Sequence, residues 1–407
     1  MGFPLSFFGV RTRQAVAHVM VPTNLLATLI AFETWAGEGG PAELTVLLHQ
    51  HYADDETAER IGAVMRSMLR PPVSCRALVV VPQSQFLAFG TDAPQRLREV
   101  LGLARADAVI YSHDLSGDSV QRLSHAYSGA ELICTGDGFG AVLQKNRHFA
   151  FVGAPLPPEM DVTRASTLDR IRSRLAGYPV RERRRSEGSI MADRFMMALP
   201  IDQFGGVMDQ APLTVCPRDV VMQVLQDVTA SASELRDNIG SMSPNLPRDF
   251  AVILPETFAD AGWMTFENEV GMLVAAVERH CRPGCAIVVK PHPNSRRNQA
   301  EALRGLLDGK HEVIEVEGEF KRYPIELWWP FLSGRTIIAA GHSVLTLRFI
   351  YGVDVAQPLD ETYVARHVPP HLHPFFRHVL SSTMEPMRNL DGWDGQSLLY
   401  AGRVETA

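Results

Sequence analysis

Short apolar runs recur along the chain, separated by helix-like patterns. "AVAHVMV" (Ala15 to Val21) alternates as a strand, and "PTN" turns the chain into "LLATLIAFETWAGEGG", a helix closed by glycines. "ELTVLLHQ", "RALVVVPQ", "ADAVIYSHD" and "AELICTGDGFG" are further strand-like runs, with helical patterns such as "APQRLREVLGLA" between them. This alternation predicts a parallel sheet covered by helices on both faces. The rhythm breaks between about Pro155 and Gly206, where the sequence is polar and rich in arginine. It resumes after Leu213 with "FAVILPE", "CAIVVKPHP", "HEVIEVEG" and "RTIIAAGHS". In "TFENEVGMLVAAVERH", Val270, Leu273, Val274 and Val277 fall on one helical face. The expectation is two doubly wound α/β domains, 1–212 and 213–407. The tail from Asp354 to Ala407, irregular and carrying prolines and histidines, is expected to pack back across the interdomain region.

A length of 407 residues agrees with two domains. The net charge of −7 gives the whole molecule no electrostatic claim on nucleic acid. No apolar run reaches the roughly 18 residues of a membrane span. The opening "MGFPLSFFGVRTR" is too short for a signal peptide, and its fit to a myristoylation pattern is read as chance. Cys75, Cys134, Cys216, Cys281 and Cys285 are odd in number and scattered, as expected of reduced thiols in a cytoplasmic protein. Between Arg164 and Arg185 stand eight arginines against Asp169 and Glu182, a local net of +6. Leu168, Ile171 and Leu175 recur there at helical spacing. Two readings stay open: a solvated helix with a linker, or a docking surface for an anionic acceptor or the inner face of the cytoplasmic membrane.

Ligands of open α/β sheets bind beyond the carboxyl ends of the strands. Three unusual segments lie at such ends. In "CTGDGFGA", Asp137 stands between Gly136 and Gly138, either as a plain Asp-Gly turn or as a carboxylate exposed for base chemistry. In "KPHPNS", Pro291 and Pro293 fix the backbone around His292, and Lys290 adds a positive charge suited to a phosphate. In "AAGHSVLTL", Ser343 follows Gly341 and His342 at a strand-to-helix junction, suited to a phosphate or to an ordinary cap. There is no ATP-binding P-loop. "GDGFGA" meets the looser dinucleotide pattern through Gly136, Gly138 and Ala141, but the following "FAFVGAP" lacks the ribose-binding acid. His367, His371, His373 and His378 sit among prolines and read as a loop rather than a metal site.

The order "VPTNLLATLIAFE", "TGDGFG", "KPHPNS", "YPIEL", "GHSVLTL" resembles the bacterial sialyltransferase and polysialyltransferase families over roughly residues 14 to 352. The resemblance implies a GT-B fold and inverting transfer of a nonulosonic acid from its CMP ester to a hydroxyl of a cell-surface glycan. It implies Asp137 as base and His292 as the group that meets the leaving phosphate. Lys290, Pro293, Gly341, His342 and Ser343 would lie around the donor, Glu326 at its ribose, and Gly138 and Asn24 on the acceptor side. With a single phosphate in the leaving group, no divalent metal or other cofactor is obligatory. This chain departs from the family pattern at Gly136, where a second acid is usual, and at Val344, beside Ser343, where a second hydroxyl is usual. A CDP-glycerol-type polyol-phosphate transferase, a sugar-nucleotide 2-epimerase and a degenerate GT-B glycan- or nucleotide-binding protein stay open as alternatives.

Overall fold

The computed structural model describes residues 11–373 apart from 51–53, 72, 74, 113–117, 137–191, 200–210, 243–245, 261, 294, 342, 354, 369 and 371–372. Asp137, Gly138, His342, and the arginine-rich stretch from Arg164 to Arg185 lie outside the described residues.

The first sheet contains β1 (Arg13–Val19), β2 (Ala42–Leu48), β3 (Ala77–Val80), β4 (Ala108–Tyr111), β5 (Glu131–Cys134), β6 (Arg194–Met197) and β7 (Leu213–Val215). Its order is β3-β2-β1-β4-β5-β6-β7, with every pair parallel. The second sheet contains β8 (Phe250–Leu254), β9 (Ala286–Val289), β10 (Val313–Glu315), β11 (Thr336–Ala339) and β12 (Val355–Ala356). Its order is β10-β9-β8-β11-β12, again all parallel. In both sheets the first strand is central, two strands step outward on one side, and the chain then returns to the other side. That is the doubly wound order of nucleotide-binding domains, and the fold is α/β with two such sheets. β8 and β9 are buried at every position, as expected of strands covered on both faces.

The helices obey the local signals. In α1 (Pro22–Gly37), Pro22 occupies the first turn, where its missing N–H costs nothing. Twelve of its sixteen residues are buried, so it runs inside the core rather than on the surface. Asp54 caps α2 (Asp55–Met68) by accepting from the Thr57 N–H. α3 (Gln83–Ala88), α4 (Ala93–Leu101) and α5 (Asp118–Ala126) complete the first layer. Gly102 ends α4 at φ 61°, a left-handed position that glycine tolerates. After α6 (Arg218–Ser231) and α7 (Ser233–Met242) come α8 (Phe266–His280), capped by Thr265, and α9 (Gln299–Leu306), capped by Asn298. α10 (Ser343–Tyr351) and α11 (Glu361–His367) follow β11 and β12.

The two sheets are joined by a shared apolar cluster that runs from Leu25 and Ile61 through Val221, Val224 and Val228 to Val252, Trp328 and Leu347. Polar contacts reinforce it. The Ser67 and Tyr323 hydroxyls lie 2.6 Å apart, Ser231 Oγ donates to the Arg70 carbonyl at 2.6 Å, and Arg60 pairs with Glu319. Tyr323 and Glu319 follow the carboxyl end of β10, so that end of the second sheet reaches α2 of the first.

Two boundaries differ from the sequence expectation. Leu213–Val215 pairs with β6, so the first sheet extends past 212 and the chain enters the second sheet only at Phe250. The described part of the tail makes these contacts with the second domain. β12 joins β11, Leu359, Val364 and Val368 enter the core beside α8, and Asn268 donates to the His367 carbonyl. All five cysteines are free thiols. Among the described residues no helix is long and apolar enough to cross a membrane.

Candidate functional site

The strand order of the second sheet reverses between β8 and β11, and a crevice opens outside the carboxyl ends at such a point. Ile253 of β8 pairs with Val289 of β9, and Leu254 pairs with Ala339 of β11. The residues that follow these three strands therefore line one edge: Pro255-Glu256 after β8, Lys290-Pro291-His292-Pro293 after β9, and Ala340-Gly341 leading to Ser343 after β11.

His292 is partly exposed, with Pro291 buried beneath it and Pro293 partly exposed beyond it. The Ser295 N–H donates to the His292 carbonyl at 3.0 Å and closes the loop into a turn. The rigidity read from the two prolines is thus accompanied by a hydrogen bond. Ser343 is the first residue of α10 and is partly exposed, and the Val344 N–H bonds back to the Gly341 carbonyl at 3.1 Å.

Lys290 and Glu326 do not stand as the sequence suggests. Lys290 is 8% exposed and Glu326 3%. The Lys290 ammonium donates to the Lys321 carbonyl at 2.9 Å, and its charge is balanced by the Glu326 carboxyl. Thr346 of α10 bonds the same carboxyl, and the Tyr351 hydroxyl donates to the Glu326 carbonyl at 2.8 Å. Burial pushes the Lys290 ammonium down to about 8, against the opposing pull of Glu326. Burial pushes Glu326 up to about 7, offset by hydrogen bonds and by Lys290. Lys290 is therefore turned into the core, where a buried carboxylate compensates it, instead of facing a phosphate. Glu326 is buried beside Lys290 rather than open to a ribose. The pair ties the loop before His292 to the start of α10.

A carboxylate missed in the sequence lies in the crevice itself. Glu256 stands two residues past β8, and a Cβ on Gly341 would overlap its Oε1. A side chain at position 341 would have to displace the Glu256 carboxyl. Burial, then the nearby Glu269, pushes Glu256 up to about 7. Glu269, buried in α8, accepts from the Ala259 N–H at 2.8 Å. Gln299 donates both to the Glu256 carbonyl and to Glu269. The available signal was the acid that follows the apolar run in "FAVILPE".

In the first sheet, Asn24 is fully buried in the first turn of α1, which makes it a packing residue rather than an accessible acceptor contact. Gly136 takes φ 72° just after β5, a left-handed position that glycine tolerates. A separate groove of about 360 Å³ lies between α1 and α6, lined by Leu29, Glu33, Val73, Asp219, Gln223 and Asp227. Its three carboxylates disfavour a phosphate. In the tail, the His373 ring bonds the Val368 carbonyl and the His367 ring packs on Tyr363. Among the described residues no group of three or more His, Cys, Asp or Glu is arranged to hold a metal.

No family model matches the chain, and no curated protein matches it. Several solved structures resemble it at low identity. UDP-GlcNAc 2-epimerase from Neisseria meningitidis is 12% identical over 95% of both chains, with a TM-score of 0.49. TcCGT1 in complex with UDP is 12% identical over 96% of this chain and 94% of that one, with a TM-score of 0.47. The GT-B domain of a sialyltransferase from Photobacterium damselae is 9% identical over 90% and 96%, with a TM-score of 0.39. With each score below 0.5, the α/β two-domain fold stands on the two parallel sheets of this chain.

Proposed function

We propose that this chain is an inverting glycosyltransferase that moves a nonulosonic acid from its CMP ester to a hydroxyl of a glycan, without a metal. The observation that carries the reading is the convergence of the His292 turn and the Gly341–Ser343 helix start at the strand reversal of the second sheet. A nucleotide phosphate at that edge would meet a histidine, a serine hydroxyl and the positive end of α10. In the reaction, the acceptor oxygen forms a bond to the anomeric carbon and loses its proton to Asp137. The bond from the anomeric carbon to the CMP oxygen breaks, and His292 gives a proton or hydrogen bond to the departing phosphate. One phosphate leaves, so its charge can be met by these groups alone. Lys290 and Glu326 act behind the site by fixing the positions of the His292 loop and α10.

Incubation with CMP-sialic acid, CDP-glycerol and UDP-GlcNAc in turn separates this reading from its alternatives. CMP release coupled to acceptor glycosylation supports it. Product from CDP-glycerol alone indicates a polyol-phosphate transferase, product from UDP-GlcNAc alone an epimerase, and binding without turnover a degenerate enzyme. CMP-dependent transfer that EDTA abolishes and Mg²⁺ restores would remove the metal-free part.

Ser343→Ala is expected to weaken donor binding by about 1 kcal/mol, the value of one lost hydrogen bond, with little change in turnover. Donor titration by calorimetry reads it, and an unchanged affinity makes Ser343 a helix-start residue only.

A further inference from the structure

The geometry points to Glu256 as a further donor-site residue, one that receives the donor's phosphate as a protonated carboxyl and opposes it when ionised. This rests on the reading of the second-sheet crevice as the donor site. Glu256 follows the central strand β8, and its Oε1 fills the space above Gly341, two residues before α10 begins. A phosphate seated at the start of α10 would lie beside this carboxyl. An ionised carboxylate there repels an anion, whereas a protonated one donates a hydrogen bond to a phosphate oxygen.

The surroundings favour the proton. Glu269 of α8 presents a second carboxylate, itself held by the Ala259 N–H and by Gln299 of α9. Asp260, in the loop after β8, pairs with Arg297 at 3.4 Å and accepts from the Arg296 N–H at 2.8 Å, and Arg297 also favours the Glu269 carboxylate. Lys290, at the end of β9, is turned toward Lys321 and Glu326. His292, on the same loop, is the other group whose side-chain type titrates near neutrality. After β11 and at the start of α10, the described Gly341 and Ser343 bring no charge. Glu256 thus faces a neighbouring carboxylate with no cation bonded to it among the described residues, and burial pushes it up to about 7.

The direction of the effect follows. Bound phosphate favours the protonated carboxyl, so binding takes up a proton once Glu256 ionises in the free protein. Affinity should fall as pH rises above about 7, approaching tenfold per pH unit for one linked proton.

The test is calorimetric titration of the full chain with the methyl phosphodiester of cytidine, whose charge is constant between about pH 5.5 and 8.5. Wild type should lose about tenfold in affinity between about pH 7.5 and 8.5. Glu256→Gln, a neutral and isosteric mimic of the protonated acid, should bind with nearly constant affinity across that range. Glu269→Gln should move the fall to lower pH, since removing a neighbouring negative charge eases ionisation of Glu256. A fall that persists unchanged in Glu256→Gln assigns the linkage to His292 and overturns the proposal. A pH-independent wild type also overturns it but leaves the donor site standing. No binding by any of the three proteins at any pH removes the donor site and the role of Glu256 with it.

Discussion

His292→Ala is expected to lower turnover about a hundredfold or more while the protein stays folded, because the imidazole is assigned to the leaving phosphate. The backbone around it is fixed by Pro291, Pro293 and the Ser295-to-His292 hydrogen bond, none of which needs the imidazole. Asp137→Asn should lose transfer as well, yet still bind CMP, since the base acts on the acceptor hydroxyl and not on the nucleotide. Steady-state rates with CMP-sialic acid, set beside CMP titrations, separate the two effects. If His292→Ala stays within about threefold of wild type, His292 is a structural turn residue and general-acid chemistry must lie elsewhere. If Asp137→Asn transfers at a normal rate, the base assignment fails.

Lys290→Met is expected to destabilise the protein by about 1–3 kcal/mol, because it removes the donor to the Lys321 carbonyl and the charge that favours the Glu326 carboxylate. Glu326→Gln should also destabilise, by stranding the Lys290 ammonium with only the Lys321 carbonyl. The double variant should cost clearly less than the sum of the two, since neither charge is then left alone. Urea unfolding of the four proteins gives the coupling directly. Additive costs would mean that the two side chains do not sense each other. The same cycle bears on function: turnover should fall in the singles because the pair anchors both the His292 loop and, through Thr346, the start of α10.

The strands were legible where β-branched residues run together, as in β8, β9 and β11, because burial on both faces demands such runs. β6 reads "RFMM" and β7 "LTV", too short and too mixed to stand out from the arginine-rich stretch before them. Their strand character comes from pairing at the edge of a sheet already built. That pairing is also why the first sheet runs past 212. The His292 loop and the Ser343 helix start were legible because proline and glycine act locally. The orientation of Lys290 was not, since it depends on Glu326, which the fold brings beneath β9 from beyond β10. Glu256 was marked only as the acid after an apolar run, because its significance comes from contact with Gly341 on a neighbouring strand end.

The seat of the nucleotide is tested most directly by amide hydrogen exchange with and without CMP. The account predicts slower exchange at Ser295, Ser343 and Val344, around the carboxyl ends of β9 and β11, with no change at Leu29 or Gln223 in the groove between α1 and α6. Protection confined to that groove, with the His292 and Ser343 segments unaffected, would contradict it.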